Sequence, residues 1–353
     1  MKLIIQIPCY NEADTLPSVL ADIPRHIEGI DQIEVLVIDD GSKDGTSEVA
    51  RAHGATHVVR HRGNRGLAST FLTGLETSLE LGADIIVNTD GDHQYPGSAI
   101  ADLVRPILAG EAELVIGDRQ THLDPKVKAR KRFFYGIGNF VVRTTTGVSV
   151  HDAPSGFRAM SRDLAMRVFL TNPFSYTIET IFAAGEQRHP VREVPIVSNA
   201  ATRPSRLFKG FAQYIGRSAS IIVQGYSMHN PLKAFGWLSA PFLGLGFVLG
   251  LRFVFLFIRD PDYSGHIQSL ILAAICILVG VQILLFGMLG SLVRANRLLL
   301  QDVRMRVRRL ELQPGGVGQL NQGQTKTNLN QGQLNQGQLN QGEAKARAKT
   351  PVT

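Results

Sequence analysis

Cysteine and tryptophan are nearly absent from this sequence. Its 353 residues include one tryptophan and two cysteines, Cys9 at the end of an apolar run and Cys276 inside a longer one. Two cysteines in such positions do not make a disulfide framework or a cysteine metal site. The sequence therefore excludes small disulfide-stabilised proteins and cysteine-rich zinc proteins, and it fits a reducing compartment.

The N-terminus has too short an apolar run for a signal peptide. The run in MKLIIQIPCYNE is broken by Pro8 and leads directly into Asn11 and Glu12, whereas a secretory signal needs a longer uninterrupted apolar segment. We expect a buried strand here. Because 44% of the residues are hydrophobic, the chain can bury a core of ordinary domain size with roughly a hundred residues left over. One main domain with appendages is the first expectation.

Short apolar runs alternate with helix-like stretches from Met1 to about Ile196, which predicts an α/β fold with a mostly parallel sheet. Polar clusters follow three of the predicted strands, at residues 10–12, 39–42 and 89–92. In open α/β sheets, ligands bind beyond the carboxyl ends of the strands. We therefore expect these clusters to share one crevice. The predicted strands are Leu3 to Ile7, Ile33 to Ile38, His57 to Arg60, Asp84 to Asn88 and Leu114 to Gly117.

The pair Asp90 and Asp92 is the strongest chemical signal. The two carboxylates flank Gly91 directly after an apolar strand, and Gln94 offers another oxygen two positions later. Such oxygen ligands suit Mg²⁺ or Mn²⁺, with phosphates completing the coordination. Asp-x-Asp also occurs in ordinary surface loops, but its place at a strand end favours a metal site.

Asp39 and Asp40 end another apolar strand and precede a turn that leads into a helix. A carboxylate here can accept hydrogen bonds from ribose hydroxyls or from a base. The alternative is that Asp39 only caps the turn, and two consecutive acids make that less plausible. Glu12 follows Tyr10 and Asn11, and it fits either contact with the same nucleotide or the start of a helix. We favour the nucleotide.

Two long apolar stretches, Phe235 to Ile258 and Ile267 to Val293, predict a transmembrane hairpin, because each exceeds the roughly 20 residues that a spanning helix needs. The segment from residue 206 to 232 has apolar residues at helical spacing. It fits a helix in the membrane interface or a helix packed on its own domain, and its place before the hairpin favours the membrane.

The net charge of +7 is compatible with nucleic acid, an anionic membrane or a phosphorylated substrate. Basic residues cluster beside the apolar stretches, at Lys233 and again from Arg294 to Arg309, without the interleaved aromatics that stack on bases. We therefore expect no nucleic acid, and both flanks of the hairpin on the cytoplasmic side. From Pro314 onward the chain repeats Leu-Asn-Gln-Gly-Gln, a composition that predicts disorder.

The segments IPCYNE, VIDDGSKDGT, NRGLAST and NTDGDHQYP, in this order and spacing, resemble the nucleotide-sugar domain of glycosyltransferase family 2. Together with SGFRAMSR and a C-terminal hairpin, the chain is similar to polyprenyl-phosphate sugar transferases, including dolichyl-phosphate mannose synthases. The resemblance covers roughly Lys2 to Val293. It implies a GT-A-type catalytic domain over residues 1–205, an interfacial region over 206–232, the hairpin over 233–298 and a basic, then low-complexity disordered cytoplasmic tail over 299–353.

The resemblance also implies roles for individual residues. The base and ribose would be held by Pro8, Tyr10, Glu12 and Asp39, with Asp40 close by. The metal and donor diphosphate would be held by Asp90, Asp92 and Gln94. The acceptor lipid phosphate would be received by Arg119, Ser155 and Arg158. A basic loop that closes over the phosphates would contain Arg203, Ser205 and Arg206. The sequence departs from the family pattern at two places. His151 stands where an arginine is usual, and the basic loop lacks the usual glycine and lysine. Both departures bear on the acceptor geometry and the donor sugar that the resemblance implies.

These features predict an enzyme that transfers a sugar from a nucleotide-sugar to a polyprenyl phosphate. GDP-mannose, UDP-glucose and UDP-N-acetylglucosamine would all use this framework, and the sequence indicates neither the donor nor an oligomeric state. Asp92, Arg119, Ser155 and Arg203 are the residues expected to act in catalysis. The rivals are a family 2 enzyme acting on another lipid or a polysaccharide, and a catalytically silent membrane scaffold. Polymerases that export their product would carry more spanning helices, and a scaffold would have lost a metal carboxylate.

Overall fold

The structure is a computed structural model that describes residues 1–120, 136, 139–140, 142–144, 146–168, 176–186, 188–199, 226–227, 230–259 and 267–312. The chain divides into two compact units, Met1–Gln301 and Asp302–Thr353. Several predicted features lie outside the described residues: Arg203, Ser205, Arg206, most of the interfacial segment, and the repeat tail.

A seven-stranded sheet forms the centre of the first unit, in the order β3-β2-β1-β4-β6-β5-β7. Only β6 runs antiparallel to its neighbours β4 and β5, so the predicted mostly parallel α/β fold is confirmed. The strands are β1 (Lys2–Cys9), β2 (Gln32–Asp39), β3 (His57–Arg60), β4 (Ile85–Asn88), β5 (Leu114–Asp118), β6 (Arg158–Ser161) and β7 (Val191–Pro195).

Helices cover both faces of this sheet. On one face, Leu3, Ile5 and Ile7 of β1 belong to a core cluster with residues of α1 and α4. On the other face α3 packs so closely that a Cβ on Gly74 would lie 2.7 Å from Ile38 Cδ1. Burial on both faces explains why β1 reads as a continuous apolar run. The helices are α1 (Leu16–Asp22), α2 (Thr46–Ala52), α3 (Leu67–Glu80), α4 (Ile100–Leu108), α5 (Arg162–Arg167) and α6 (Tyr176–Glu186), and a short 3₁₀ turn (Gly97–Ala99) precedes α4.

Two long apolar helices follow, α7 (Pro231–Arg259) and α8 (Ile267–Glu311). Both are long and apolar enough to cross a membrane, since each contains an 18-residue window of high mean hydropathy, 2.1 in α7 and 2.8 in α8. Both helices begin within a few residues of the predicted spans. The second predicted span ends at Val293 and the predicted tail begins at residue 299, whereas α8 continues to Glu311. Leucine, arginine, glutamine and methionine are good helix formers, and neither glycine nor proline interrupts this stretch.

Candidate functional site

The loops that follow β1, β2 and β4 are joined by hydrogen bonds into one crevice edge, as the sequence predicts. The backbone N–H of Asn11 donates to Ser42 Oγ (2.9 Å), and the N–H of Lys43 donates to Asn11 Oδ1 (2.9 Å). Thr15 Oγ1 donates to the carbonyl oxygen of Gly91 (2.7 Å). Parallel strands end on the same side of the sheet, so the three polar clusters meet there.

The residues after β1 differ in their exposure to this crevice. Pro8 is buried inside β1, opposite Ile38 of β2. Tyr10 is 38% exposed, whereas Glu12 is buried and its carboxylate accepts a hydrogen bond from Thr15 Oγ1 (3.1 Å). Of these residues, Tyr10 presents the most surface to a ligand.

Asp39 is fully buried at the end of β2. Its Oδ1 accepts from the backbone N–H of Ser42 (2.8 Å), and its Oδ2 accepts from Ser47 Oγ. Arg60 Nε lies 3.6 Å from Oδ2. The carboxylate thus holds the turn before α2, which is the capping role that the sequence left as an alternative.

Asp40 anchors the loop that leads into α3. Its Oδ1 accepts from the backbone N–H of Arg65 (2.8 Å) and lies 2.8 Å from His61 Nδ1, while Oδ2 accepts from the N–H of Gly66 (2.8 Å). His61 Nε2 in turn lies 3.1 Å from Thr73 Oγ1. With both oxygens engaged by the protein, Asp40 supports this loop, and its predicted nucleotide contact stays a prediction.

Asp90 and Asp92 bring two negative charges together after β4. Burial and the neighbouring Asp92 carboxylate raise the pKa of Asp90 to about 7, although Arg119 and Arg158 act in the opposite direction. Gln94 holds the second carboxylate, because its backbone N–H donates to Asp92 Oδ1 (3.1 Å) and its side-chain amide donates to Oδ2 (2.9 Å). Gln94 therefore orients Asp92.

Glycine permits the close packing around this acidic pair. A Cβ on Gly91 would lie 2.9 Å from Cys9 Sγ, and a Cβ on Gly156 would lie 3.1 Å from Asp90 Oδ2 and 2.8 Å from Tyr176 Oη. Two adjacent carboxylates in a partly buried position repel each other unless a cation lies between them. Their oxygen chemistry fits a divalent cation such as Mg²⁺ or Mn²⁺, which Asp90 and Asp92 would hold.

Arg119 follows β5 and faces a buried acid. Its Nε donates to Asp152 Oδ2 (2.7 Å), its Nη2 donates to Asp152 Oδ1 (2.8 Å), and its backbone N–H donates to Oδ2 (3.1 Å). The charge of Arg119 acts on Asp90 and on Tyr95, lowering the pKa of both groups against the effect of burial. Arg119 therefore interacts electrostatically with Asp90, and its predicted contact with the acceptor phosphate stays a prediction.

Arg158 was predicted to contact a lipid phosphate, and in the structure its guanidinium is engaged by the protein itself. The residue is completely buried. Its Nη1 donates to the carbonyl of Thr177 (2.8 Å) and to Thr180 Oγ1, and its Nη2 donates to the carbonyls of Ala153 (3.3 Å) and Ser155. Arg158 therefore fixes the turn that contains Ser155, whose own side chain is also fully buried.

A buried polar network behind Asp90 was not predicted. Gln6 Nε2 donates to Asn88 Oδ1 (2.9 Å), and Asn88 Nδ2 donates to the carbonyl of Gly156 (2.9 Å) and to Tyr176 Oη (3.3 Å). The N–H of Gly156 donates to Tyr95 Oη (3.2 Å). The sequence does contain a signal for this network, because Gln6 and Asn88 are polar residues inside apolar strands and a buried amide requires hydrogen-bond partners.

A second acidic group lies at the opposite ends of the strands from the crevice, before β5 and β7 and after β6. Ligand atoms of Glu113, Asp163 and His189 lie within 4.8 Å of one another. Arg167 Nη2 lies 2.9 Å from Asp163 Oδ2, and His189 Nδ1 lies 2.9 Å from Glu113 Oε2. These ion pairs account for the cluster without a metal.

The chain is similar to several known proteins. An uncharacterized protein of Methanocaldococcus jannaschii is 30% identical over 202 residues, which cover 55% of this chain and 80% of that relative. A UDP-N-acetylglucosamine–dolichyl-phosphate N-acetylglucosaminyltransferase of Methanococcus voltae is 28% identical over 220 residues, covering 55% and 85%. Glucosyl-3-phosphoglycerate synthase from Mycobacterium tuberculosis, solved with Mn²⁺, UDP and glucosyl-3-phosphoglycerate, is 24% identical with a TM-score of 0.48, over 65% of this chain and 79% of that one.

The family profile described as glycosyl transferase family 2 matches residues 4–169. This range contains β1 to β6 and the crevice residues from Tyr10 to Arg119. The acidic pair, the crevice at the strand ends and the similar relatives agree with that match. The chain is a glycosyltransferase and belongs to glycosyl transferase family 2.

Proposed function

We propose that this enzyme transfers a sugar from a nucleotide-sugar to a polyprenyl phosphate at a membrane surface. The observation that carries the proposal is the position of Asp90 and Asp92 after β4, where the loops that follow β1 and β2 also meet, with Arg119 directly after β5 at the same ends of the strands. The chain also carries two helices long and apolar enough to cross a membrane. The name of the Methanococcus voltae relative, which states a dolichyl-phosphate acceptor, supports the choice of acceptor.

The acidic side of the crevice would bind the donor. Asp90 and Asp92 would hold Mg²⁺ or Mn²⁺ beside the donor diphosphate, with Asp92 oriented by Gln94. When bound, the cation would neutralise charge that develops on the leaving nucleoside diphosphate. Tyr10 and Glu12 border the same crevice and would contact the base and ribose.

The reaction would be a direct displacement. A phosphate oxygen of the acceptor forms a bond to the anomeric carbon while the bond from that carbon to the donor diphosphate breaks. The electron pair leaves with the nucleoside diphosphate, and the anomeric configuration inverts. A phosphate monoester is already anionic near neutral pH, so the reaction needs no strong general base. Arg119 would orient the acceptor phosphate, since a guanidinium matches phosphate oxygens and keeps its charge.

The hairpin would place this chemistry beside the lipid. We assign catalysis to residues 1–205, an interfacial role to residues 206–232, and membrane spanning to the apolar parts of α7 and α8. Lys233 precedes the hairpin, and arginines from Arg294 to Arg309 follow it. By the positive-inside rule, both flanks and the catalytic domain would face the cytoplasm.

The test is transfer of radiolabel from GDP-mannose, UDP-glucose and UDP-N-acetylglucosamine to polyprenyl phosphate in membranes that contain the full chain and Mg²⁺ or Mn²⁺. We expect one donor to label the lipid, and we expect Asp92→Ala to reduce labelling by about 100-fold or more. Asp102→Ala is the matched control, because Asp102 is half-exposed on α4 and pairs with Arg105. Labelling of a different lipid would show another acceptor, and folded protein without labelling from any donor would favour a silent scaffold.

A further inference from the structure

Arg119 and Asp152 form an ion pair through two side-chain hydrogen bonds, and the proposed reaction assigns no role to Asp152. Asp152 is 1% exposed, and it accepts two side-chain hydrogen bonds and one backbone hydrogen bond from Arg119. Nε and Nη2 bind different oxygens of the carboxylate. This two-point contact fixes the plane and the direction of the guanidinium, which a single hydrogen bond would not do.

Asp152 is itself held by a residue from another strand. Glu193 Oε1, on β7, accepts from the backbone N–H of Asp152 (3.1 Å) and from the backbone N–H of His151 (2.7 Å). Glu193 Oε2 lies 2.7 Å from His151 Nδ1. The order of support therefore runs from β7 through Glu193 to Asp152, and from Asp152 to Arg119 at the end of β5.

An ion pair that serves only stability can lie anywhere in the molecule. A second arginine–aspartate pair, between Arg167 and Asp163, lies away from the crevice at the opposite ends of the strands. There Arg167 binds Asp163 through Nε (3.1 Å) and Nη2 (2.9 Å). The Arg119 pair differs in position, because it directly follows a strand end at the crevice.

We propose that Asp152 is a positioning residue that sets the direction of the Arg119 guanidinium toward the acceptor phosphate, and that Glu193 supports Asp152 in this role. This inference rests on the proposed function, since it names the phosphate of that acceptor. Asp152 touches neither the donor nor the reacting carbon in this scheme. Its removal should therefore affect the use of the acceptor and spare the binding of the nucleotide.

The test compares Asp152→Asn with the wild-type chain in the same membranes. We expect the KM for polyprenyl phosphate to rise by about 10-fold or more, because a misplaced guanidinium loses its alignment with the phosphate. The affinity for the nucleotide in the presence of Mn²⁺, measured by calorimetry on the purified full chain, should stay within about twofold. Asp163→Asn is the matched control, since it breaks the other arginine–aspartate pair, and it should leave the acceptor KM unchanged.

A double-substitution cycle separates positioning from general stability. Lysine cannot form the two-point contact, so in an Arg119→Lys background Asp152→Asn should add less than about twofold to the acceptor KM. Independent, multiplying effects would overturn the inference. If Asp152→Asn does not fold, Glu193→Ala decides, with an expected rise in the acceptor KM of about threefold at unchanged nucleotide affinity.

The two proposals fail in different ways. A wild-type chain that binds nucleotide but labels no polyprenyl phosphate contradicts the proposed function, and the inference falls with it. A wild-type chain that labels the lipid, together with variants whose acceptor KM is unchanged, overturns the inference alone.

Discussion

At Gly156, the absence of a side chain determines where the Asp90 carboxylate can lie. An added Cβ would lie 3.1 and 3.2 Å from the two Asp90 oxygens and 2.8 Å from Tyr176 Oη. We expect Gly156→Ala to push the carboxylate or the tyrosine aside and to lower the rate of sugar transfer by about 10-fold to 100-fold. The measurement is initial rate in membranes at saturating donor, with the amount of folded protein determined in parallel.

Gly136→Ala is the control for this substitution, because a Cβ at Gly136 meets no atom of the described residues within 4 Å. Its activity should match that of the wild type. A Gly156→Ala variant with full activity would show that the Asp90 carboxylate can shift without consequence, and it would weaken the assignment of Asp90 to the metal.

Arg158 is expected to matter for stability before it matters for chemistry. Its guanidinium donates to the carbonyls of Thr177, Ala153 and Ser155 from a completely buried position. Lysine cannot reach all of these acceptors, so Arg158→Lys should destabilise the fold by about 1–3 kcal/mol for each acceptor left without a partner. Thermal unfolding of the purified chain in detergent measures this as a melting temperature lower by several degrees.

Arg105→Lys serves as the comparison, since Arg105 is 75% exposed and its replacement should leave the melting temperature unchanged. An Arg158→Lys variant that melts like the wild type but needs far more polyprenyl phosphate would support the role in acceptor binding that the sequence predicts.

Single residues were predictable where their neighbours in sequence carry the signal. Asp90 and Asp92 follow an apolar strand, so their place at the crevice was expected from the sequence and is observed. Arg158 looked like a phosphate ligand because one sequence does not show that its side chain turns inward from β6. The sequence does not indicate the role of Asp152, because its partners Arg119 and Glu193 are distant in sequence and come together only after the sheet has formed.

The hairpin formed by α7 and α8 is held together at positions where glycine lets the helices approach. A Cβ on Gly246 would lie 2.7 Å from Ile277 Cγ1 and 3.1 Å from the Ala273 carbonyl oxygen. Small residues at such contacts are typical of membrane helix pairs. We expect Gly246→Ala to destabilise the hairpin by about 1–3 kcal/mol through overpacking, which unfolding in detergent would detect.

Gly244→Ala is the matched control on the same helix, because a Cβ there meets nothing within 4 Å. This change should be neutral, or slightly stabilising through the higher helix propensity of alanine. Equal effects of the two substitutions would mean that helix propensity, and not the contact with α8, sets the stability.

Elements were predictable where one pattern dominates a stretch of sequence. The five predicted strands all exist, because buried parallel strands read as apolar runs. The short strands β6 and β7 were not assigned, since RAMS and VREVP mix apolar residues with charged or polar ones. The length of α8 was underestimated because hydropathy ends at Val293 whereas helix propensity does not. Its 45 residues span about 67 Å, roughly twice the hydrocarbon core of a bilayer.

For the whole molecule, we expect the full chain to stay in the membrane pellet after an alkaline carbonate wash. Two helices that contain 18-residue windows with mean hydropathies of 2.1 and 2.8 favour insertion over peripheral binding. A chain that ends at Asn230 is the control, and carbonate should release it if it still binds membranes. Release of the full chain would contradict the proposed membrane-spanning role of α7 and α8.

The strand order affects how the chain folds while it is being synthesised. β4 pairs with β1 on one side and with β6 on the other, and β6 emerges from the ribosome about 70 residues after β4. Synthesis adds about 5–20 residues per second, so the edge of β4 that later pairs with β6 stays unpaired for about 4–14 seconds. Unpaired strand edges can associate with other chains. Slower synthesis lengthens this interval. Substitutions that weaken β6 should therefore first reduce the yield of newly made enzyme, at growth temperatures where the finished protein is still stable.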